Sequence, residues 1–464
     1  MSEPEVRKSR NRARADFLTG AGVTALWILT RLLMLRIFTL PNASYITGDV
    51  KYYHFWLTTP GLPVQQVLRE YPVPVIWGMK VLVWASGGAQ ETYFIVLFAV
   101  AMLVLDAIMT LALWHYGHRC GTVWWILFVL AMGPLMWFRF DMVPAVCMGL
   151  AALWFRRHPS ACGAAVAVGA AIKLWPALLI LPMIGRGRSA RRRLVAFAIT
   201  GASLALASLL AAGLTRTASP LTWQSDRGLQ IESIPATVPM LQHALDGAGR
   251  YLVALSSYNA YEISGPGVDA WLGVSQALMI AAIAAAAAIG WITWRRGGLT
   301  HRSAVLGAAV IIGALLVANK TLSPQYFVWW GAPVAVLIDR LDDEPRRPGP
   351  HLARARSICL AIAGCLFCTA VLTQCVYPLS YSLIIAPIPS PWGMALLASR
   401  NLMAVGNSGT VRLGAGGVVA RHDAGEGLPP IANHADREKR ESPRIPLASW
   451  PHGPRHEVTS NGAG

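Results

Sequence analysis

Apolar stretches of about 20 residues recur along this chain, and each is long enough to cross a lipid bilayer as a helix. The 464 residues are 55% hydrophobic and only 14% charged, and the mean hydropathy is +0.46. Soluble domains carry about 25% charged residues, so the charged fraction here is roughly half of the usual one. The sequence therefore predicts an all-α fold, a polytopic helical bundle in the lipid bilayer with about 11–12 spans.

The basic residues give the chain a net charge of +17 and a pI near 10.0, and most of them lie in short segments between the apolar stretches. This is the positive-inside pattern of membrane proteins and not the basic groove of a nucleic-acid-binding protein, so we expect no nucleic-acid partner. It predicts a basic cytoplasmic amino terminus over 1–16 and a cytoplasmic carboxyl terminus. The first apolar stretch is too long for a cleavable signal peptide, so we expect it to stay as a span in the plasma membrane.

The same pattern divides the chain into a membrane domain and a tail. We expect the domain over 17–404, with its two main external loops at 41–90 and 215–267. The apolar segment 72–87 is short and contains two prolines, which predicts a helix lying on the outer membrane surface. The segment 405–464 has few large apolar residues and is predicted to be a disordered cytoplasmic tail.

One apolar stretch, 161–184, is interrupted by Lys173-Leu174-Trp175-Pro176. If it were a single span, the arginine cluster that follows would lie outside the cell. Two short helices that meet near Lys173 keep the cluster in the cytoplasm, and broken helices are tolerated where they line a cavity. Lys173 either extends along its own stem to the membrane interface or binds a phosphate as a point charge.

The residues that would indicate a metal or a cofactor are missing from the sequence. The seven cysteines lie in or beside apolar stretches, which predicts packing residues and neither a disulfide framework nor a zinc site. Asp49 has no acidic neighbour within a few residues, so a divalent-metal site of the DxD type is not indicated. There is no P-loop, Rossmann fingerprint or Ser–His–Asp order. We therefore expect no metal and no cofactor.

Polar residues that are unusual for a membrane protein collect on the predicted outer face, where such residues usually line a cavity. Asp49 would act there as a general base that takes a proton from a hydroxyl, or it is a solvated loop carboxylate or helix cap. Glu70 and Tyr71 either form the turn that opens the surface helix or bind a sugar. Arg139 and Asp141 either pair within an aromatic belt, or Arg139 binds a phosphate.

Two more polar segments belong to the same predicted face. Lys320 has the same two interpretations as Lys173, reaching the interface or binding a phosphate. Glu232 lies in a compact polar segment of the second external loop, and His243 follows it. An external cavity that holds a carboxylate, several cations and many aromatic rings suits an anionic, lipid-linked substrate.

Several short motifs occur in the order that they have in the GT-C class of integral-membrane glycosyltransferases, and the chain resembles glycosyltransferase family 87 in particular. The matching segments are Asp49 in the first external loop, Glu70-Tyr71-Pro72, Ala171-Ile172-Lys173-Leu174-Trp175-Pro176, Gln230-Ile231-Glu232-Ser233 and Leu322-Ser323-Pro324-Gln325-Tyr326. One departure is Tyr71-Pro72-Val73-Pro74, where the family often has Tyr-Pro-Pro.

The resemblance implies an inverting, metal-independent transfer of a sugar, with mannose as the expected sugar, from a polyprenyl-phosphate donor. The acceptor would be a lipid or a glycan at the outer face. The resemblance also implies that Asp49 is the base and that Lys173 and Lys320 hold the donor phosphate. Glu232 would contribute to the sugar or acceptor site. Gln325 and Tyr326, in the last matching motif, are expected to bind substrate as well.

The alternative class is a membrane transporter or flippase of a lipid-linked substrate, which performs no covalent chemistry. Such a protein needs a passage that opens alternately to both sides, and its sequence often contains inverted repeats. We detect no repeat in this chain, and few charged residues lie deep within the apolar stretches. The sequence therefore favours the glycosyltransferase over the transporter.

Overall fold

The computed structural model of the protein describes residues 3–422, except 89, 118, 224, 225, 248, 340 and 342–349. The chain divides into two compact units, Met1–Val419 and Ala420–Gly464. Almost all of the second unit lies outside the described residues. The site and the fold discussed below belong to the first unit.

Helices make up most of the described structure. In its first half they are α1 (Glu3–Phe38), α2 (Gly48–Thr58), α3 (Val73–Ala85), α4 (Glu91–Tyr116), α5 (Arg119–Met132), α6 (Met142–Trp154), α7 (Pro159–Ile172) and α8 (Arg188–Trp223). In its second half they are α9 (Thr237–Asp246), α10 (Val268–Arg295), α11 (His301–Ala318), α12 (Val328–Asp339), α13 (Pro350–Gln374), α14 (Tyr381–Ile384) and α15 (Pro391–His422). The protein is thus an all-α membrane bundle, as the apolar stretches predict.

Six of the described helical segments are long and apolar enough to cross a membrane, by length and composition. They are Thr19–Phe38, Glu91–Tyr116, Arg188–Trp223, Val268–Arg295, His301–Ala318 and Ala353–Leu379. Four further apolar helices, α3, α5, α6 and α7, have between 10 and 17 residues. The total of about 11–12 spans remains a prediction, because a shorter helix can also lie across part of the bilayer.

The centre of the bundle is formed by α12, whose residues are all buried. It packs against α5, α6 and α11. Small residues allow this close approach: a Cβ on Gly149 of α6 would lie 2.8 Å from the Cβ of Ala332 in α12. Membrane helices use such small residues because packing, and not the exclusion of water, holds them together.

The predicted break at Lys173 is confirmed. Helix α7 ends at Ile172, Lys173 has an extended backbone, and a 3-10 helix follows over Trp175–Met183. Pro176 and Pro182 explain the break, because proline cannot donate the backbone hydrogen bond that an α-helix needs. The Lys173 side chain, 19% exposed, pairs at this break with Asp141.

The two predicted external loops contain more regular structure than we expected. Asp49 does not lie in an irregular loop but in the first turn of α2. The segment 215–267 contains the end of α8, helix α9 and a small antiparallel sheet. Its strands are β1 (Leu229–Gln230), β2 (Leu252–Leu255) and β3 (Tyr261–Ser264), in the order β1-β3-β2.

Helix α8 is interrupted at Gly213, which has a φ of +76° and a ψ of 171°, and a buried arginine holds the short helical segment that follows. The Arg216 side chain is 1% exposed, and its Nη2 donates to the backbone oxygens of Leu68 (2.8 Å) and Tyr71 (2.9 Å). The end of α8 is therefore tied to the segment that precedes α3. This contact between two distant parts of the chain positions the Glu70-Tyr71 motif.

The predicted start of the disordered tail at 405 is also wrong, because α15 continues to His422. Asn407 and Ser408 are buried within the bundle, so tertiary packing holds this polar part of the chain in a helix. The rest of the predicted tail, 423–464, lies outside the described residues.

Candidate active site

A cavity of about 1120 Å³ lies where α2, the break after α7, the small sheet and the segment between α11 and α12 meet. It is lined by all of the predicted site residues except one: Asp49, Glu70, Tyr71, Arg139, Asp141, Lys173, Glu232, Lys320, Gln325 and Tyr326. The exception is His243, which is buried in α9 beside the Tyr251 ring. His243 is therefore not part of the candidate site.

Asp49 is placed at the cavity by the first turn of α2, where the helix dipole favours a negative charge. Its side chain is 26% exposed, and Oδ2 lies 3.0 Å from Nε of Arg139. Its other oxygen, Oδ1, accepts a hydrogen bond of 3.3 Å from Nδ2 of Asn259. The carboxylate is thus oriented on one side by an arginine and faces the cavity on the other.

Arg139 is held in a fixed position from which it orients the Asp49 carboxylate. Its side chain is buried, and Nη1 donates to the backbone oxygens of Ile46 (2.7 Å) and Phe138 (2.9 Å). Burial lowers the pKa of Arg139, but the Asp49 carboxylate and the tyrosines around the guanidinium together outweigh burial, so the net shift is upward. Arg139 pairs with Asp49 and not with Asp141, and this commitment makes it a poor phosphate ligand.

Lys173 is enclosed by a carboxylate and three aromatic rings. Nζ lies 2.7 Å from Oδ1 of Asp141, which also accepts a hydrogen bond of 2.7 Å from Nε1 of Trp329. The ammonium lies 3.9 Å from the ring centre of Tyr326 and 5.0 Å from that of Trp329, within cation–π distance. The Asp141 carboxylate already balances the charge of Lys173. We therefore assign Lys173 to the structure of the cavity wall and not to anion binding.

Lys320 stands beside a second cation. Its Nζ donates to the backbone oxygen of Arg227 at 2.6 Å, and its own backbone oxygen accepts from Gln230 in β1 at 3.0 Å. Burial lowers the pKa of Lys320, and the Arg227 charge lowers it further. The Glu262 and Asp226 charges act in the opposite direction on Lys320, and Oε1 of Glu262 lies 3.6 Å from Nε of Arg227. Lys320 and Arg227 thus bring two cations together at the cavity wall, where they can attract an anion.

Glu232 is committed to an ion pair. Its Oε2 accepts from Nη1 of Arg400 in α15 at 2.7 Å, and the side chains are 1% and 0% exposed. Nη2 of Arg400 also donates to the backbone oxygen of Glu232, and the Asn401 side chain completes the arginine's contacts. Glu232 therefore joins the loop segment to α15 at the cavity floor. Gln325, 7% exposed, also belongs to the buried part of the wall.

Glu70 is another carboxyl group that lines the cavity, and it lies beside tyrosine side chains. Burial raises its pKa, against the opposing effects of the Tyr52 hydroxyl and the Arg216 charge. Tyr71 packs edge-on against Phe140 at 4.9 Å, and its hydroxyl lies 3.5 Å from that of Tyr53. The Glu70-Tyr71 motif thus places a carboxyl group with a raised pKa beside an aromatic wall of the cavity.

A pH-dependent gain in stability is expected for Glu70→Gln. The folded protein holds the Glu70 proton more tightly than the unfolded chain, whose glutamate pKa is about 4.3. The wild type therefore loses stability relative to the variant as pH rises through the raised folded pKa. Apparent melting temperatures in detergent should differ little at pH 4 and favour the variant at pH 8. A difference that is the same at both pH values contradicts this assignment, and the exposed Glu91→Gln is the control.

Two residues that contact carboxylates of the cavity could not be chosen from the sequence. Asn259 and Arg400 lie in segments with no distinctive motif, and only the tertiary structure brings them to Asp49 and Glu232. Among the described residues, no group of three or more His, Cys, Asp or Glu side chains could hold a metal ion.

The cavity combines an oriented carboxylate with a pair of cations, an arrangement suited to removing a proton from a hydroxyl and to binding an anionic leaving group. The model of glycosyltransferase family 87 matches residues 70–322, which is more than half of the 464 residues. The chain belongs to glycosyltransferase family 87, in the GT-C class, and is a membrane glycosyltransferase.

Among solved structures, the crystal structure of ArnT from Cupriavidus metallidurans in the apo state is similar to this chain. The sequence identity is 13% and the TM-score is 0.41, over 87% of this chain and 78% of that chain. No curated protein sequence matches the chain.

Proposed function

We propose that this protein transfers a sugar, mannose, from a polyprenyl-phosphate donor to a hydroxyl of a lipid or glycan acceptor, with inversion and without a metal. The reaction would take place at the outer face of the plasma membrane, with both termini of the chain in the cytoplasm. The observation that carries the proposal is the Asp49 carboxylate, held at 3.0 Å by the buried Arg139 in a cavity that also contains the Lys320–Arg227 cation pair.

The proposed step needs one base and no general acid. The acceptor hydroxyl oxygen attacks the anomeric carbon of the sugar, and Asp49 takes the hydroxyl proton. The bond between that carbon and the phosphate oxygen breaks, and polyprenyl phosphate leaves with the electron pair. Phosphate is already anionic, so cations stabilise its departure better than a proton donor would. Lys320 and Arg227 are suited to that role.

The walls of the cavity suit a donor whose chain stays in the bilayer. Pro220 and Leu221 of α8 and Leu272 and Met279 of α10 line it, and Leu221 is 67% exposed. Both helices are long and apolar enough to cross a membrane. A polyprenyl chain could therefore remain among the lipids while its phosphate reaches the cations inside.

The proposal is tested by sugar transfer with the full chain, purified and reconstituted in lipid vesicles. Polyprenyl-phosphate mannose is supplied with a membrane lipid extract, and parallel reactions contain the glucose and galactose donors. The expected result is a mannosylated product whose anomeric configuration, read by NMR, is opposite to that of the donor. Transfer from another donor sugar overturns the choice of mannose. Donor movement across the vesicle membrane without any product identifies a flippase instead.

A weaker affinity for the donor is expected for Lys320→Gln. A hydrogen bond to a charged group contributes about 1.5–3 kcal/mol, so the KM for the donor should rise roughly 10- to 100-fold. The KM for the acceptor should change little, because Asp49 and Asn259 are untouched. Steady-state kinetics at varied donor concentration measure this effect, and Lys80→Gln, on the exposed side of α3, is the matched control. An unchanged donor KM removes Lys320 from the phosphate site.

A further inference from the structure

The hairpin formed by β2 and β3 ends in a turn whose conformation is well defined. The backbone of Ser256 donates to the Ala260 oxygen at 2.9 Å, and Asn259 donates to the Ser256 oxygen at 3.1 Å. Asn259 has a φ of +55°, in the left-handed region that asparagine adopts more readily than most residues. The turn therefore presents the Asn259 side chain at the tip of the hairpin.

This tip forms one wall of the cavity. Leu255, Tyr258, Asn259 and Ala260 all line it. The Tyr258 ring packs edge-on against Trp223 at the end of α8, with 5.3 Å between the ring centres. The guanidinium of Arg227 lies 5.5 Å from the centre of the same ring. These contacts hold the tip beside the cation pair and across from α2.

The two oxygens of Asp49 differ in their surroundings. Oδ2 is held by Arg139, which is itself fixed by backbone oxygens in the protein interior. Oδ1 accepts the longer and more exposed hydrogen bond from Asn259. An acceptor hydroxyl that gives its proton to Asp49 can approach Oδ1 far more easily than Oδ2, and it then competes with the Asn259 carboxamide.

We propose that the Asn259 carboxamide occupies the position of the acceptor hydroxyl on Asp49 and keeps other nucleophiles, water above all, from using the base. This inference rests on the proposed function. When a hydroxyl of the acceptor displaces Asn259, it donates its own hydrogen bond to Oδ1 and so reaches the position from which the base can take its proton. The hairpin tip thus controls access to the base and determines which hydroxyl compounds react.

Donor hydrolysis tests this role, because water is then the only nucleophile. In that reaction the water oxygen attacks the anomeric carbon while Asp49 takes a proton from the water. The bond between that carbon and the phosphate oxygen breaks, and free sugar and polyprenyl phosphate form. Asn259→Gly removes the side chain, and glycine adopts a positive φ without strain. In the absence of acceptor, the variant should hydrolyse polyprenyl-phosphate mannose about three to ten times faster than the wild type, as expected for the loss of one hydrogen bond.

Three comparisons make the result decisive. Ser257→Gly adds the same flexibility to the turn at an exposed position and should leave hydrolysis at the wild-type rate. The double variant Asp49→Asn/Asn259→Gly should not hydrolyse the donor, because the gain depends on the base. With acceptor present, Asn259→Gly should show a lower acceptor KM and an unchanged donor KM.

The opposite outcomes separate this inference from the proposed function. If the wild type transfers sugar but Asn259→Gly shows no faster hydrolysis, the blocking role of Asn259 is wrong and the proposed function stands. If Asn259→Gly lowers kcat or raises the acceptor KM, Asn259 positions Asp49 or binds the acceptor instead. If the wild type neither transfers sugar nor hydrolyses any donor, the proposed function itself fails.

Discussion

Asp49→Asn is expected to lower the rate of sugar transfer by about 10²- to 10⁴-fold, the usual contribution of a positioned general base. Asparagine has nearly the same shape as aspartate, and its oxygen can take the position of Oδ2 of Asp49, 3.0 Å from Nε of Arg139. The variant should therefore fold and bind the donor with a nearly unchanged KM. Initial rates of transfer in lipid vesicles, at saturating donor and acceptor, measure the loss.

The control for this variant is Asp246→Asn, at the end of α9. Asp246 forms an exposed pair with Arg250 at 3.0 Å and does not line the cavity, so its replacement should leave transfer at the wild-type rate. If Asp49→Asn transfers sugar as fast as the wild type, Asp49 is not the base. Glu70 is then the next carboxyl group to test, because it lines the same cavity.

Arg400→Met is expected to destabilise the protein by about 3–5 kcal/mol, since it leaves the Glu232 carboxylate buried without its partner. The pair is completely enclosed, with side-chain exposures of 0% for Arg400 and 1% for Glu232. It joins α15 to the segment that follows β1, two parts of the chain 168 residues apart. The melting temperature of the purified protein in detergent should fall accordingly. The amount of active protein should also fall, while the KM of the folded protein for the donor should stay the same.

The double variant Glu232→Gln/Arg400→Met distinguishes a structural pair from a substrate ligand. Removing both charges eliminates the unpaired buried carboxylate, so the double variant should be more stable than Arg400→Met alone. If Glu232 binds the sugar or the acceptor, as its motif suggests, Glu232→Gln raises a KM while stability stays at the wild-type value. That outcome would show that Glu232 is a substrate ligand and not one half of a structural ion pair.

Much of the site could be predicted from the sequence because its residues are costly in an apolar setting. A lysine beside Trp175-Pro176 within an apolar stretch indicates a broken helix at a cavity, and the structure has that break at Lys173. The same argument selects Asp49, Asp141 and Lys320, and all of them line the cavity. It selects His243 as well, but His243 does not line the cavity. Its side chain is buried in α9 instead, because a polar loop also contains titratable side chains that only pack.

Pairing between these residues could not be predicted, because the partners are far apart in the chain. Asn259 lies 210 residues from Asp49, and Trp329 lies 188 residues from Asp141. One interpretation of the sequence pairs Arg139 with Asp141, its near neighbour, but in the structure Arg139 pairs with Asp49 and Asp141 with Lys173. Local spacing therefore identifies charged residues of a site without assigning their roles.

The sequence alone determined that this chain is a membrane helical bundle, since runs of apolar residues can satisfy their backbone hydrogen bonds in lipid only as helices. It also indicated which charged residues line a cavity, because a charge in an apolar setting is costly unless it faces one. The tertiary structure decided which carboxylate faces the cavity and which is used for packing. Asp49 and Glu232 occur in equally polar segments, yet one is partly exposed beside Arg139 and the other is enclosed with Arg400. That difference arises from packing between distant helices, which no local pattern encodes.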